Sequence, residues 1–268
     1  MITREREKSD YFVIRYNLTN FGFAQYNSIM SKVIIFGFPH CGTSILKSII
    51  GHIDDVEEII DETLIIDKTT TKKYILCKHP CVHYNFFYEK YHEYIKIFIV
   101  RNPLYVFSSS NKRYNYNLPE NCAVTSYIKT IGRFIQCQDK SKFKNMYTIR
   151  YEDLFDNNYQ NLKDLLNTIG FEYTDAIFNN TDCYNKIITG VKLQETKPEN
   201  TNHGEYRTWQ INQPFIFSND MSKIDLTEKQ VNDLLNDNGV LQIYPNLKKE
   251  WNEYVNKFNG KYAEIIAK

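Results

Sequence analysis

The chain has 268 residues and a formal net charge of +1. That length suits one large α/β domain with a full core, and the charge balance excludes a global field that would draw in nucleic acid or an anionic membrane. The longest apolar runs, such as Ile95 to Val100, are far too short to span a bilayer, so any anionic ligand must be held by a local site.

In chain order, residues 1–30 show no clear period and read as an N-terminal extension packed on a domain of residues 31–268. They are charged and then mixed, without the apolar stretch of a signal peptide, so a cytoplasmic location is the expectation. Residues 32–38 read as a buried strand of β-branched residues, bounded by Gly37 and Pro39. Ser44 to His52 read as a helix with Ile45, Leu46, Ile49 and Ile50 on one face. Residues 72–80 form a second strand, stopped by Pro80. Residues 94–103 form a third, the most apolar and therefore central. Residues 145–154 form a fourth. Helical patterns cover 124–136 and 161–169, the latter ended by Gly170, and a capping box at Thr227–Gln230 opens a late helix. Strands alternating with helices predict a single α/β domain with a mainly parallel central sheet flanked by helices.

The six cysteines are scattered. Cys77 and Cys81, with His79 and His83, have no second Cys/His pair at finger spacing, so buried thiols are expected rather than a metal site.

Between the first strand and helix, Gly37 to Ser44 spells GxxxxG-Thr-Ser, against GxxxxGK[ST] for a Walker loop. Glycines and a helix N-terminus hold a phosphate on backbone amides alone. The lysine that serves β- and γ-phosphates in kinases and ATPases is missing from the loop, which points to a ligand without a triphosphate. Arg101 leaves the third strand, and Ser109 follows eight residues later on a helical pattern. Such a pair brackets one phosphate by charge and hydroxyl. Tyr151 follows the fourth strand. The loop, Arg101 and Tyr151 all lie at strand C-terminal ends, where ligands of such sheets collect.

These segments resemble the sulfotransferases that use 3′-phosphoadenosine-5′-phosphosulfate (PAPS), with their P-loop NTPase-like fold. "PHCGTS" is similar to that family's loop for the 5′-phosphosulfate. "IFIVRNPLYVFSSS" resembles its 3′-phosphate motif, "IRYEDLFDN" its YEDL segment, "YILCKHP" its KTHLP segment and "NHGEYRTWQ" its RKGxxGDWK loop. All five occur in family order. The resemblance implies sulfuryl transfer from PAPS to an acceptor hydroxyl, leaving adenosine 3′,5′-bisphosphate and needing no metal. It implies nucleotide contacts from Pro39, His40, Cys41, Gly42, Thr43, Ser44, Arg101, Ser109, Tyr151, Gly204 and Arg207.

It also implies a base, for which His79 is the first choice and His83 the second. Lys78 is a candidate phosphate or sulfonate contact, set against the plainer reading of a solvated strand-end lysine. His40 stands where the family has Lys or Arg. Beside phosphates it is expected to be drawn toward its charged form and to act as a general acid or electrostatic stabiliser. Ile45 replaces a stacking tryptophan, and Asn202-His203-Gly204 lacks two positive charges of the RKG loop. The tail tilts the acceptor toward a carbohydrate or another small hydroxylated metabolite. Two other readings stand beside this one: a non-catalytic nucleotide-binding descendant, and a P-loop kinase of small molecules.

Overall fold

The structure is a computed structural model. It describes residues 30–63, 66–67, 69–80, 91–139, 141–178, 187–188, 191–192, 203–211 and 217–258. Residues 1–29 of the predicted extension, and separately Cys81, His83 and Cys183, lie outside the described residues.

Five parallel strands form the centre: β1 (Ser31–Gly37), β2 (Val56–Glu62), β3 (Tyr74–His79), β4 (Ile95–Val100) and β5 (Met146–Arg150), in the order β2-β3-β1-β4-β5. Val33 to Phe36 on β1 and Ile97 to Val100 on β4 are almost wholly buried, as near-continuous apolar runs in a doubly covered parallel sheet should be. Helix α1 (Thr43–Ile50) leaves β1 and packs on β1 and β3. Helix α2 (Pro103–Tyr114) leaves β4, and α3 (Val124–Cys137) packs on β4 and β5. Right-handed crossovers therefore put α1 and α3 on opposite faces of the sheet. The chain winds away from β1 in one direction and from β4 in the other. The crevice between their C-terminal ends is the topological switch point, the ligand position of open α/β sheets.

The four predicted strands and the helices predicted around 44–52, 124–136, 161–169 and after 227 are all present. The late helices are α4 (Gln160–Ile169), α6 (Glu228–Asn236), α7 (Asn238–Ile243) and α8 (Leu247–Phe258). Gly170 ends α4 in the left-handed conformation, with φ of 91°. Thr227 and Gln230 cap each other reciprocally, as the capping box requires.

Among the elements that differ from the sequence reading, two border the candidate site. Strand β2 escapes that reading because "VEEIIDE" is acidic. Its Glu58 is nevertheless buried, 3.3 Å from the Lys47 ammonium of α1, and Lys47 also donates to the Ile59 carbonyl. Charge pairing under α1 hides the strand. The segment matched to the RKG loop is a helix, α5 (His203–Ile211), since "HGEYRTWQI" holds one glycine near its start and no proline.

Cys41, Cys77, Cys122 and Cys137 are buried. Among the described residues no group of His, Cys, Asp and Glu is placed to hold a metal ion, and no helix is long and apolar enough to cross a membrane.

Candidate anion site at the end of β1

β1 runs into the loop through Gly37, where a β-carbon would stand 2.1 Å from the Ile99 carbonyl oxygen of β4. Only glycine lets the two backbones approach so closely there. Phe38 turns into the core against Tyr127 and Phe107, and the Cys41 N–H closes a turn on the Phe38 carbonyl at 3.2 Å. Pro39 and His40 are half-buried, and His40 takes the left-handed conformation with φ of 68°. Cys41 is fully buried, which pushes its thiol well above its ordinary range, so it is a packing residue and not a nucleophile.

Gly42 occupies the N-cap of α1 with φ of 94°. No side chain caps the helix, and its first turn carries no acidic residue. The first-turn amides and the positive end of the helix dipole therefore face the loop without a side-chain acceptor at the cap. Thr43 and Ser44 open the helix and are buried.

Cations gather around this turn. Lys78 at the end of β3 is buried, donates to Ser44 Oγ at 2.5 Å and pairs with Glu62 of β2 at 3.2 Å. The reading of a solvated strand-end lysine is thus corrected: β3 lies beside β1, and Lys78 points along α1. Arg101 is buried at the end of β4. One of its terminal nitrogens donates to the His40 carbonyl at 3.1 Å, and the other to the Ser218 carbonyl. Its Nε is buried with no hydrogen-bond partner among the described residues. Ser109 Oγ stands 3.1 Å from His40 Nδ1. Arg101 and Ser109 thus meet His40 from two sides, one at its backbone and one at its ring.

The YEDL segment braces the same corner. The Tyr151 ring is buried under Gly42, 4.2 Å from the Arg101 guanidinium and stacked on Phe217 at 5.6 Å. Its hydroxyl accepts the Ser218 N–H at 3.0 Å. Glu152 accepts the Asn102 N–H at 2.8 Å, and Asp153 pairs with Arg150. One residue of the segment lies under the loop, and the next two fasten its surroundings.

His79 ends β3, half-buried and level with Phe36 of β1. Gly204 and Arg207 lie on α5, with Gly204 in its first turn. Sequence reasoning missed three participants. Gln210 of α5 accepts from Ser44 Oγ at 3.1 Å. Arg113 lies 3.8 Å over the Tyr206 ring, joining α2 to α5. Tyr114 sets its ring edge-on to His40 at 5.7 Å. Sequence spacing signalled none of them, because each acts across a large separation along the chain.

The charge state of His40 differs from expectation. Burial, and then the positive charges of Arg101, Arg113 and Lys78, lower its pKa from 6.5 to about 4. In the free protein, burial first and the neighbouring cations second therefore leave His40 neutral at pH 7. Unfolded chains bind its proton below pH 6.5 and the folded protein does not until about pH 4, so stability is lost as pH falls through that window. At about 1.4 kcal/mol per pH unit, the loss attributable to His40 reaches roughly 3 kcal/mol. His40→Asn, whose side chain tolerates the left-handed backbone, is expected to flatten the stability profile between pH 6.5 and 4. Urea titrations across that range measure it, and an unchanged slope would show that His40 titrates normally.

No family model matches the chain, and no curated protein matches it. Among solved structures it is similar to the crystal structure of mouse sulfotransferase SULT7A1 complexed with PAP. The identity is 15%, the match covers 83% of this chain and 89% of that one, and the TM-score is 0.51. The parallel sheet, its flanking helices and this likeness together establish that the chain has the sulfotransferase fold.

Proposed function

We propose that the protein is a PAPS-dependent sulfotransferase that moves a sulfuryl group to the hydroxyl of a carbohydrate or another small hydroxylated metabolite. The observation that carries this reading is the gathering of Arg101, Lys78 and Arg113 around His40 and a helix N-terminus that Gly42 leaves without a side-chain cap. The Nε of Arg101, buried and without a hydrogen-bond partner among the described residues, is an independent sign that an acceptor oxygen belongs there. A donor with phosphate and sulfonate groups fits this donor set.

In the proposed reaction the α1 amides, Thr43 and Ser44 hold the 5′-phosphate. Lys78 offsets charge on the transferring group. His40 donates a hydrogen bond to the bridging oxygen as its bond to sulfur breaks. The acceptor oxygen forms the new bond to sulfur in line, its proton passes to His79, and adenosine 3′,5′-bisphosphate leaves. Arg101 and Ser109 serve the 3′-phosphate, and Tyr151 and the Gly204 amide border the nucleotide.

Lys78 gives some support to a second reading, a small-molecule kinase, because it returns an ammonium to a loop that lacks the Walker lysine. Calorimetry separates the two. The wild type is expected to bind adenosine 3′,5′-bisphosphate far more tightly than ATP, and to show sulfate transfer once an acceptor is supplied. Arg101→Ala should weaken the bisphosphate by ~1.5–3 kcal/mol, the range for charged hydrogen bonds, and adenosine 5′-phosphate by less. Equal losses would place Arg101 in the loop's support alone. Magnesium-dependent ATP turnover would replace the sulfotransferase reading by the kinase.

A further inference from the structure

We propose that Gln210 is a specificity-determining contact for the anion held by the 37–44 loop, an assignment that rests on reading that loop as the site of the donor's 5′ anion. The Ser44 hydroxyl has one proton to give and receives a hydrogen bond from Lys78 at 2.5 Å. Its proton goes to Gln210 Oε1 at 3.1 Å. Gln210 is solvent-exposed and projects from α5, which reaches α1 across 166 residues of chain. Its amide oxygen therefore stands where an oxygen of a bound anion would accept from Ser44.

A second, independent observation places a ligand in this corner. Arg101, buried at the end of β4 and bonded to the loop at the His40 carbonyl, has its Nε without a hydrogen-bond partner among the described residues. Glutamine suits the position chemically. When an anion oxygen takes the Ser44 proton, the amide turns about its last bond and presents Nε2–H donors to that same anion. Glutamate could accept from Ser44 but could not donate, and it would repel the anion. Alanine could do neither. The neutral amide thus lets α5 respond to the occupant of the loop without adding a fourth cation to Arg101, Lys78 and Arg113.

The substitution Q210E separates this role from a structural one. A carboxylate beside Lys78 and the α1 N-terminus strengthens the hydrogen bond to Ser44 in the free protein, so Q210E is expected to melt no lower than the wild type. The same variant is expected to bind inorganic pyrophosphate and adenosine 3′,5′-bisphosphate at least ~10-fold more weakly, the scale of one charged hydrogen bond, with Q210A falling between. Calorimetry and thermal melts on the full chain read both quantities. Pyrophosphate binding by Q210E within about twofold of the wild type, well inside that scale, overturns the assignment. So does weaker binding accompanied by a lower melting temperature, as a merely structural residue would give, and so does a wild type that fails to bind pyrophosphate. The expected pattern with pyrophosphate, but no binding of adenosine 3′,5′-bisphosphate, supports Gln210 as the anion contact and removes the sulfotransferase reading instead.

Discussion

Gly42→Val is expected to abolish binding of adenosine 3′,5′-bisphosphate and to cost the fold roughly 2–5 kcal/mol, the combined scale of left-handed strain and overpacking. Gly42 sits at φ of 94°, and a β-carbon there would lie 2.4 Å from Cδ2 and 2.9 Å from Cε2 of Tyr151. The ring has little room to yield, because it lies between the Arg101 guanidinium and Phe217 while its hydroxyl holds the Ser218 N–H. Any shift that relieves the clash moves the loop, Arg101 and the 217–218 segment together. Gly170→Ala supplies the control. Its φ is 91°, but nothing lies within 4 Å of the added carbon, so it isolates the backbone term. About 1 kcal/mol of stability should go, with nucleotide binding unchanged. Urea denaturation and calorimetry on both variants give the comparison. Wild-type affinity in Gly42→Val would remove the loop from the binding site.

Much of this architecture was legible because it is local. The apolar run, the glycine and the amphipathic segment of residues 32–50 specify a strand, a turn and a helix without reference to the rest of the chain. Gly170 and the Thr227–Gln230 box mark their helix ends for the same reason. Strand β2 was illegible because its acidic residues read as solvent-facing, whereas Glu58 and Glu62 meet Lys47 and Lys78. Helix α5 was illegible because the motif matched to it supplied a loop, while the local composition permits a helix.

The candidate site divides along the same line. The residues matched by motif, from Pro39 to Ser44 with Arg101, Ser109 and Tyr151, are brought to one corner by the strand order. The electrostatics of that corner depend on contacts that spacing does not encode. Lys78 reaches Ser44 only because β3 lies beside β1, and Arg113 reaches α5 only because α2 packs toward it. The neutral state of His40 follows from its burial first and from those neighbours second. A loop without its own lysine is therefore not a site without one. The cation arrives from the adjacent strand, and Glu62 fixes it in place. A Lys78→Ala variant would leave Glu62 near the loop without its counter-charge, so it would disturb binding as well as turnover.

His79→Ala is expected to behave differently, cutting sulfate transfer by about 10²–10⁴-fold, the usual contribution of a general base, while nucleotide affinity stays close to wild type. Successive side chains of a strand point to opposite faces. Lys78 reaches the α1 side, so His79, the next residue and the last of β3, projects away from the anion corner at the same edge of the sheet. As the proposed base, His79 would meet the acceptor rather than the nucleotide from there. The pH dependence sharpens the test. Two histidines of opposite protonation would give a bell near neutrality, but His40 titrates near pH 4 in the free protein. The kcat/KM profile, which reports the free enzyme, should therefore show no alkaline limb from His40 near neutrality. Full turnover in His79→Ala, with loss in His83→Ala, would pass the base to His83. Full turnover in both would leave proton removal to solvent, with the histidines holding structure alone.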